Sequence, residues 1–175
     1  MQQLELWDIY DENKQKTGRL MKRNDWNMKP GDYHLSVLGI VTDLHGNYLI
    51  TKRKADKQWA PGSWEVSGGG VKAGETSLDA VKREVAEETG LDTENAMISF
   101  LTSYKSENTQ EKNNYIVDIY HLIMNFSVAD VHAQESETDG FDICDFDKIK
   151  ELGEAGKFLH YKRLLPAFAA IAHGM

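Results

Sequence analysis

The chain has 175 residues, a formal net charge of −8 from 20 Lys+Arg against 28 Asp+Glu, 41% hydrophobic residues and one cysteine. That length fits a single domain with a sizeable core, and the shortage of positive charge excludes a protein that coats nucleic-acid polymers, since such binding is driven by Lys and Arg neutralising phosphates. A small phosphorylated substrate stays open, because bound divalent cations can bridge carboxylates to phosphate oxygens. Cys144 alone excludes an internal disulfide and a Cys-rich zinc site. The start, Met1 to Asp8, lacks the basic and apolar runs of a signal peptide, and no apolar stretch reaches membrane-spanning length. The expectation is a soluble, cytoplasmic chain with no membrane partner.

In chain order, Leu4 to Tyr10 reads as a strand that turns at Asp11-Glu12-Asn13, followed by a polar stretch from Lys14 to Lys29. Tyr33 to Thr42 and Tyr48 to Lys52, joined by Asp43-Leu44-His45-Gly46-Asn47, read as a hairpin. A short strand is expected at Ser63 to Ser67, and Gly68-Gly69-Gly70 with Ala73-Gly74 reads as an irregular connection. From about Thr76 to Thr89 the spacing is helical, with Leu78, Val81 and Val85 as an apolar stripe, Thr76 with Asp79 at the start and Gly90 as the stop. Strands follow around Met97 to Tyr104 and Tyr115 to Phe126. After the acidic loop Asp130 to Asp142 comes a short strand near Ile143. A tail helix then carries Phe158, Tyr161, Leu165 and Phe168 on one side, kinked or restarted by Pro166. This order lacks regular βαβ alternation, so the pattern predicts an α+β fold with a mixed sheet flanked by helices.

The chemistry concentrates in residues 69–91. Glu84, Glu87 and Glu88 stand at i, i+3 and i+4 and share about 100° of one helix face. Three crowded carboxylates repel one another, and a divalent cation removes that repulsion; hard oxygen ligands suit Mg2+ or Mn2+. Acidic residues at this spacing also occur on solvated faces. Arg83 lies away from the acidic face and is placed to tie the helix to the preceding loop through Glu75. Gly68-Gly69-Gly70-Val71-Lys72-Ala73 matches the loose dinucleotide-binding pattern, but the helix starts too late and the parallel-sheet context is missing.

The whole segment reads Gly69-x5-Glu75-x7-Arg83-Glu84-Val85-x-Glu87-Glu88-x-Gly90-Leu91, and here the chain resembles the Nudix (MutT-like) hydrolase family. A chance match to the fixed positions is on the order of 10⁻⁹ per starting point. The resemblance implies an α/β/α sandwich with a mixed sheet, in one Nudix domain over residues 1–175 with 1–30 as an N-terminal extension. It also implies a pyrophosphatase-type hydrolase that uses Mg2+ or Mn2+ to cleave a nucleoside-diphosphate-type or other small organic diphosphate by water attack at phosphorus. Carried over, Glu84, Glu87 and Glu88 are the expected metal ligands, with the Gly69 carbonyl in addition, and Arg83 with Glu75 is the pair that orients the loop. The general base is either Glu84 or a loop acid, for which Glu137 is the candidate.

A second likeness lies outside this segment, the Nudix box of residues 69–91. Leu6-Trp7-Asp8-Ile9-Tyr10-Asp11-Glu12, Gly18-Arg19, Arg53 and Pro61-Gly62-Ser63-Trp64 are similar to Nudix proteins close to isopentenyl diphosphate isomerase. That enzyme's catalytic cysteine falls shortly after the tryptophan, where this chain has Glu65-Val66-Ser67-Gly68-Gly69. The expectation is therefore an isomerase-like hydrolase, with an isomerase or a non-catalytic ligand-sensing domain as alternatives. Arg53 and Trp64 are the substrate-binding candidates; Trp59, Tyr104 and Tyr120 are further aromatics that could stack on a base or fill the core. A homodimer is plausible, with residues 1–30 as a contact element.

Overall fold

The computed structural model describes residues 4–174, so Met1 to Gln3 and Met175 of the expected domain lie outside the described residues. The elements are β1 (Leu6–Tyr10), β2 (Lys16–Lys22), β3 (His34–Thr42), β4 (Tyr48–Arg53), β5 (Trp64–Glu65), β6 (Ser67–Gly70), α1 (Ser77–Thr89), β7 (Met97–Asn108), β8 (Asn113–Ile123), β9 (Thr138–Cys144), α2 (Phe146–Glu154) and α3 (Tyr161–Ala172). β1 and β2 form a separate antiparallel ribbon, and the other strands form one sheet in the order β5-β4-β3-β8-β7, with β6 added to β3 and β9 to β4. β3 and β8 run parallel while the other described strand pairs run antiparallel, so the sheet is mixed, as expected.

Alternation along β3 and β4 feeds two cores on opposite faces of the sheet. Leu35, Val37, Val41 and Leu49 pack with Ala80, Val81 and Val85 of α1. Ile40, Tyr48 and Ile50 pack with Ile149 and Leu152 of α2 and with Leu164, Ala167 and Phe168 of α3. The result is an α/β/α sandwich. α1 seats closely because β3 carries Gly39 beneath it: a Cβ there would come within 2.9 Å of Val81 and 3.0 Å of Val85.

Several expectations are corrected. The triple glycine is not an irregular connection but strand β6, paired with β3 from Gly39↔Ser67 to Ser36↔Gly70. Its glycines answer to close approach. A Cβ at Gly68 would meet the Val37 carbonyl oxygen at 2.4 Å, one at Gly69 the Glu84 carboxylate at 2.4 Å, and one at Gly70 the Trp7 ring at 2.9 Å. The β3–β4 hairpin pairs only at Thr42↔Tyr48 and Val41↔Leu49, because β6 takes the rest of that edge of β3. Leu78 is 44% exposed, and the buried stripe of α1 is Ala80, Val81 and Val85. Pro166 sits inside a continuous α3, whose buried face is Leu164, Ala167 and Phe168 instead of Leu165. β2 lies in the stretch read as merely polar, and α2, capped by Asp145 on the Lys148 N–H at 3.1 Å, had no sequence assignment.

The ribbon folds back onto the sheet. Tyr10 and Tyr33 exchange backbone hydrogen bonds of 2.8 and 2.9 Å. Lys14 Nζ donates to both oxygens of Asp118, at 2.6 and 2.7 Å, and Asp118 is 1% exposed on β8, an inner strand of the sheet. Losing one partner of such a pair would leave a buried charge uncompensated. Arg19 forks onto Asp32 at 2.8 and 2.6 Å.

Trp7 stacks on the His34 ring with centroids 4.5 Å apart. His34 is 5% exposed. Burial, only partly opposed by the bond to Asn113, pushes the His34 imidazole down to about 4. An unfolded histidine titrates near 6.5, so this contribution to stability is complete above that pH and is lost as pH falls towards 4, amounting to about 3 kcal/mol. His34→Phe, which keeps a ring against Trp7, should flatten the fall in urea-unfolding free energy between pH 6.5 and 4. An unchanged pH slope would contradict this.

Candidate active site

Helix α1 begins where the Thr76 side chain accepts the Asp79 N–H at 3.1 Å and ends at Gly90, whose φ of 72° places it in the left-handed region that favours glycine. Within these limits Arg83 spends every N–H of its guanidinium. Nε donates to Glu75 Oε1 at 2.8 Å and Nη2 to Glu75 Oε2 at 3.0 Å. Nη2 also reaches the Gly70 carbonyl at 3.1 Å, and Nη1 reaches Glu84 Oε1 at 2.7 Å and Glu87 Oε2 at 3.4 Å. Arg83 thus ties the helix to the loop, as the sequence suggested, and also to β6 and to two of the box carboxylates. The bond to Glu75, foremost among its partners, holds the guanidinium still more firmly charged than usual. Burial pushes Glu75 up, but Arg83 and the Lys72 N–H outweigh it and hold Glu75 below the usual glutamate range.

The three glutamates differ in environment. Glu84 is half-buried, and its carboxylate fills the space that a side chain on Gly69 would take. Burial raises its pKa, with Glu87 adding to the effect and Arg83 opposing it. Glu88, also half-buried, is raised well above the ordinary value by burial first, then by the charges of Glu84 and Glu65, while Ser67 and the Gly68 N–H offset only part. Glu87 is exposed and faces Arg83 Nη1 at 3.4 Å.

Glu65 is the participant that sequence reasoning missed. It is raised by burial and by Glu137, with Arg53 and Lys57 opposing, and its own charge acts on Glu88. The available signal was a carboxylate set between apolar Trp64 and Val66 just before the glycines. Arg53 Nη1 lies 3.4 Å from both Glu65 oxygens, and its guanidinium sits 5.4 Å from the centre of the exposed Trp59 ring. Glu137 joins this row: Lys57 Nζ holds its Oε2 at 2.5 Å, and its carbonyl accepts the Lys54 N–H at 3.2 Å. The loop bearing Glu137 is tied to the end of α1, where the Thr89 and Glu88 carbonyls accept the N–H groups of His132 and Gln134 at 2.8 and 3.1 Å.

Trp64 is not brought into this row. It pairs with Lys52 on β4 while Glu65 pairs with Thr51, so the two side chains point to opposite faces, and Trp64 packs against the α2–α3 core. Tyr120 is buried and bonds Ser77 at 2.5 Å, and Tyr104 lies beneath Arg163. Cys144 pairs with Tyr48, at the end of β4 away from Arg53; burial, then Asp142 and Asp145, push its thiol up to about 12. A cavity of about 560 Å³ at the far end of α1, lined by Gly90, Leu91, Met124, Asp130 and His132 among others, holds none of the box carboxylates.

Among the described residues no three His, Cys, Asp or Glu side chains form a closed cation cage, because Glu84 and Glu87 turn to Arg83. The donor set nevertheless fits a hard divalent cation. It offers carboxylate oxygens beside a glycine backbone, in a patch where burial and like charge exceed what Arg83 neutralises.

The family model described as NUDIX domain matches residues 32–167. The chain belongs to the Nudix family. It is 28% identical over 159 residues to an uncharacterized Nudix hydrolase of Listeria monocytogenes and 30% identical over 164 residues to one of Listeria innocua, each match covering 90% of both chains. The solved structure of DR0079 from Deinococcus radiodurans shares the fold at a TM-score of 0.69 and 20% identity, over 87% of this chain and 91% of that one. The protein is thus a Nudix hydrolase, of a family that cleaves diphosphate linkages and generally uses divalent metal ions. No helix of the described residues is long and apolar enough to cross a membrane.

The contact between Gly69 and Glu84 makes a direct test. Gly69→Ala should leave the fold intact, since only the end of a flexible side chain has to move. It should weaken Mn2+ binding, followed by electron paramagnetic resonance, about tenfold or more. Wild-type affinity would show that the Glu84 position is irrelevant to the metal.

Proposed function

We propose that this Nudix hydrolase is a Mg2+- or Mn2+-dependent diphosphohydrolase that cleaves a nucleoside-diphosphate-type or other small organic diphosphate by attack of water at phosphorus. The observation that carries this reading is a pair of half-buried carboxylates with raised pKa values: Glu84, seated over Gly69 and opposed by Arg83, and Glu88, raised by burial, Glu84 and Glu65 and offset only in part by Ser67 and the Gly68 N–H. Glu84, Glu87, Glu88 and the Gly69 carbonyl would hold the ion. When bound, the ion supplies neutralisation of the diphosphate oxygens and a more acidic water.

The chain's own residues divide the remaining work. Arg83 and Glu75 hold helix and loop at a fixed separation. Arg53 is engaged by Glu65 only at 3.4 Å and is set at the mouth of the row, so it offers a guanidinium to a substrate phosphate. The base that takes the proton of the attacking water is Glu84 or Glu137, each with one oxygen held by a cation, Arg83 or Lys57, and the other available. Trp59, 58% exposed and stacked with Arg53, is the aromatic at this mouth, which makes it a better partner for a flat substrate group than Trp64.

The isomerase alternative finds no thiol in the row, and Cys144 lies at the other end of β4. A ligand-sensing domain would have no need of the crowded carboxylates. A screen of nucleoside and other organic diphosphates with phosphate detection, run with Mg2+, Mn2+ or chelator, tests the reading. Wild-type protein should turn over at least one substrate only with metal, and folded Glu88→Gln should lose at least about a hundredfold, more than an outer-shell loss would cause. Metal-independent turnover, or full activity of Glu88→Gln, would overturn it.

A further inference from the structure

The loop between β6 and α1 shows what else holds the active site in place. Five successive N–H groups run through it, and each has a partner. Val71 donates to the Leu35 carbonyl at 2.9 Å, Lys72 to Glu75 Oε2 at 3.0 Å and Glu75 to the Lys72 carbonyl at 3.0 Å. The remaining two reach the N-terminal ribbon: Ala73 donates to the Leu6 carbonyl at 2.8 Å and Gly74 to Asp8 Oδ2 at 2.9 Å. Between these two anchors Trp7, 4% exposed, presses against Gly70, so close that a Cβ there would come within 2.9 Å of the indole. Gly70 is also the residue whose carbonyl accepts from Arg83. Residues 6–8 therefore grip the loop at three points: at Gly70, whose carbonyl Arg83 holds, and at Ala73 and Gly74, the two residues before Glu75. They lie outside the segment 32–167 that the family model matches.

We infer that Asp8 is a positioning residue for the metal-binding carboxylates: by fixing Gly74 it sets the loop so that Glu75 can hold Arg83, and Arg83 in turn aligns Glu84 and Glu87. This rests on the reading above that these carboxylates hold a divalent ion. Asp8 has a second partner, Lys16 Nζ, 3.0 Å from the same Oδ2 and carried by the ribbon strand β2. The two partners make the inference separable from simple stabilisation of the ribbon.

The test compares Asp8→Ala, Asp8→Asn and Lys16→Met in the full chain by Mn2+ calorimetry without substrate and by the Arg83 Nε–H resonance in NMR. Asp8→Ala should weaken Mn2+ binding about tenfold, the effect expected of an outer-shell partner, and shift or broaden the Arg83 signal. Asp8→Asn keeps an acceptor oxygen for the Gly74 N–H and should restore both; Lys16→Met should leave both as in wild type. Wild-type behaviour of Asp8→Ala, or equal damage from Lys16→Met, would overturn the inference. Failure of the wild-type protein to bind Mn2+ would instead sink the proposed function. In that case the Arg83 resonance alone decides the positioning role: moved by Asp8→Ala and not by Lys16→Met it supports the role, and unmoved it ends it.

Discussion

The guanidinium of Arg83 is the constraint on which the rest of the site depends. A guanidinium has N–H bonds in a rigid planar fork, and here all of them are used, on Glu75, the Gly70 carbonyl, Glu84 and Glu87. One side chain thereby fixes the distance between a strand, a loop and a helix. Such an arrangement needs its surroundings held still. The ribbon does this from one side through Trp7 and Asp8, and the bond of Lys14 to the buried Asp118 anchors the ribbon to the inner strand β8.

The same geometry explains the glycines and the charge. Gly68, Gly69 and Gly70 each lack a side chain where a different neighbour presses in: the Val37 backbone, the Glu84 carboxylate and the Trp7 indole. The net charge of −8 argues against a polymer-coating role, and its excess is not all ordinary surface. Glu65, Glu84 and Glu88 are carboxylates whose ionisation burial and neighbouring charge oppose, with Glu137 beside them and Arg53, Lys57 and Arg83 at the border. Carboxylates held against burial and like charge in this way mark a candidate functional site.

Much of this was legible in the sequence, and for identifiable reasons. Glu75, Arg83 and the acidic face of α1 follow from helical spacing within one segment, and the Thr76 and Gly90 caps follow from local backbone chemistry. Glu137 was named from the loop in which it lies. What stayed hidden depends on contacts distant in sequence. Glu65 enters the row only because β5 pairs with β4 so as to turn it towards α1 and Trp64 away. The triple glycine looks like loop until β3 and Trp7 are placed against it. β2 is exposed nearly throughout and so carries almost no alternating signal, and α2 is short.

If the fork of Arg83 organises the carboxylates, then charge alone cannot replace it. Calorimetric titration of Mn2+ into Arg83→Lys, a variant that keeps the positive charge and loses the planar fork, addresses this most directly. The account predicts a folded protein that binds Mn2+ at least about tenfold more weakly than wild type. A folded Arg83→Lys protein with wild-type affinity would contradict it.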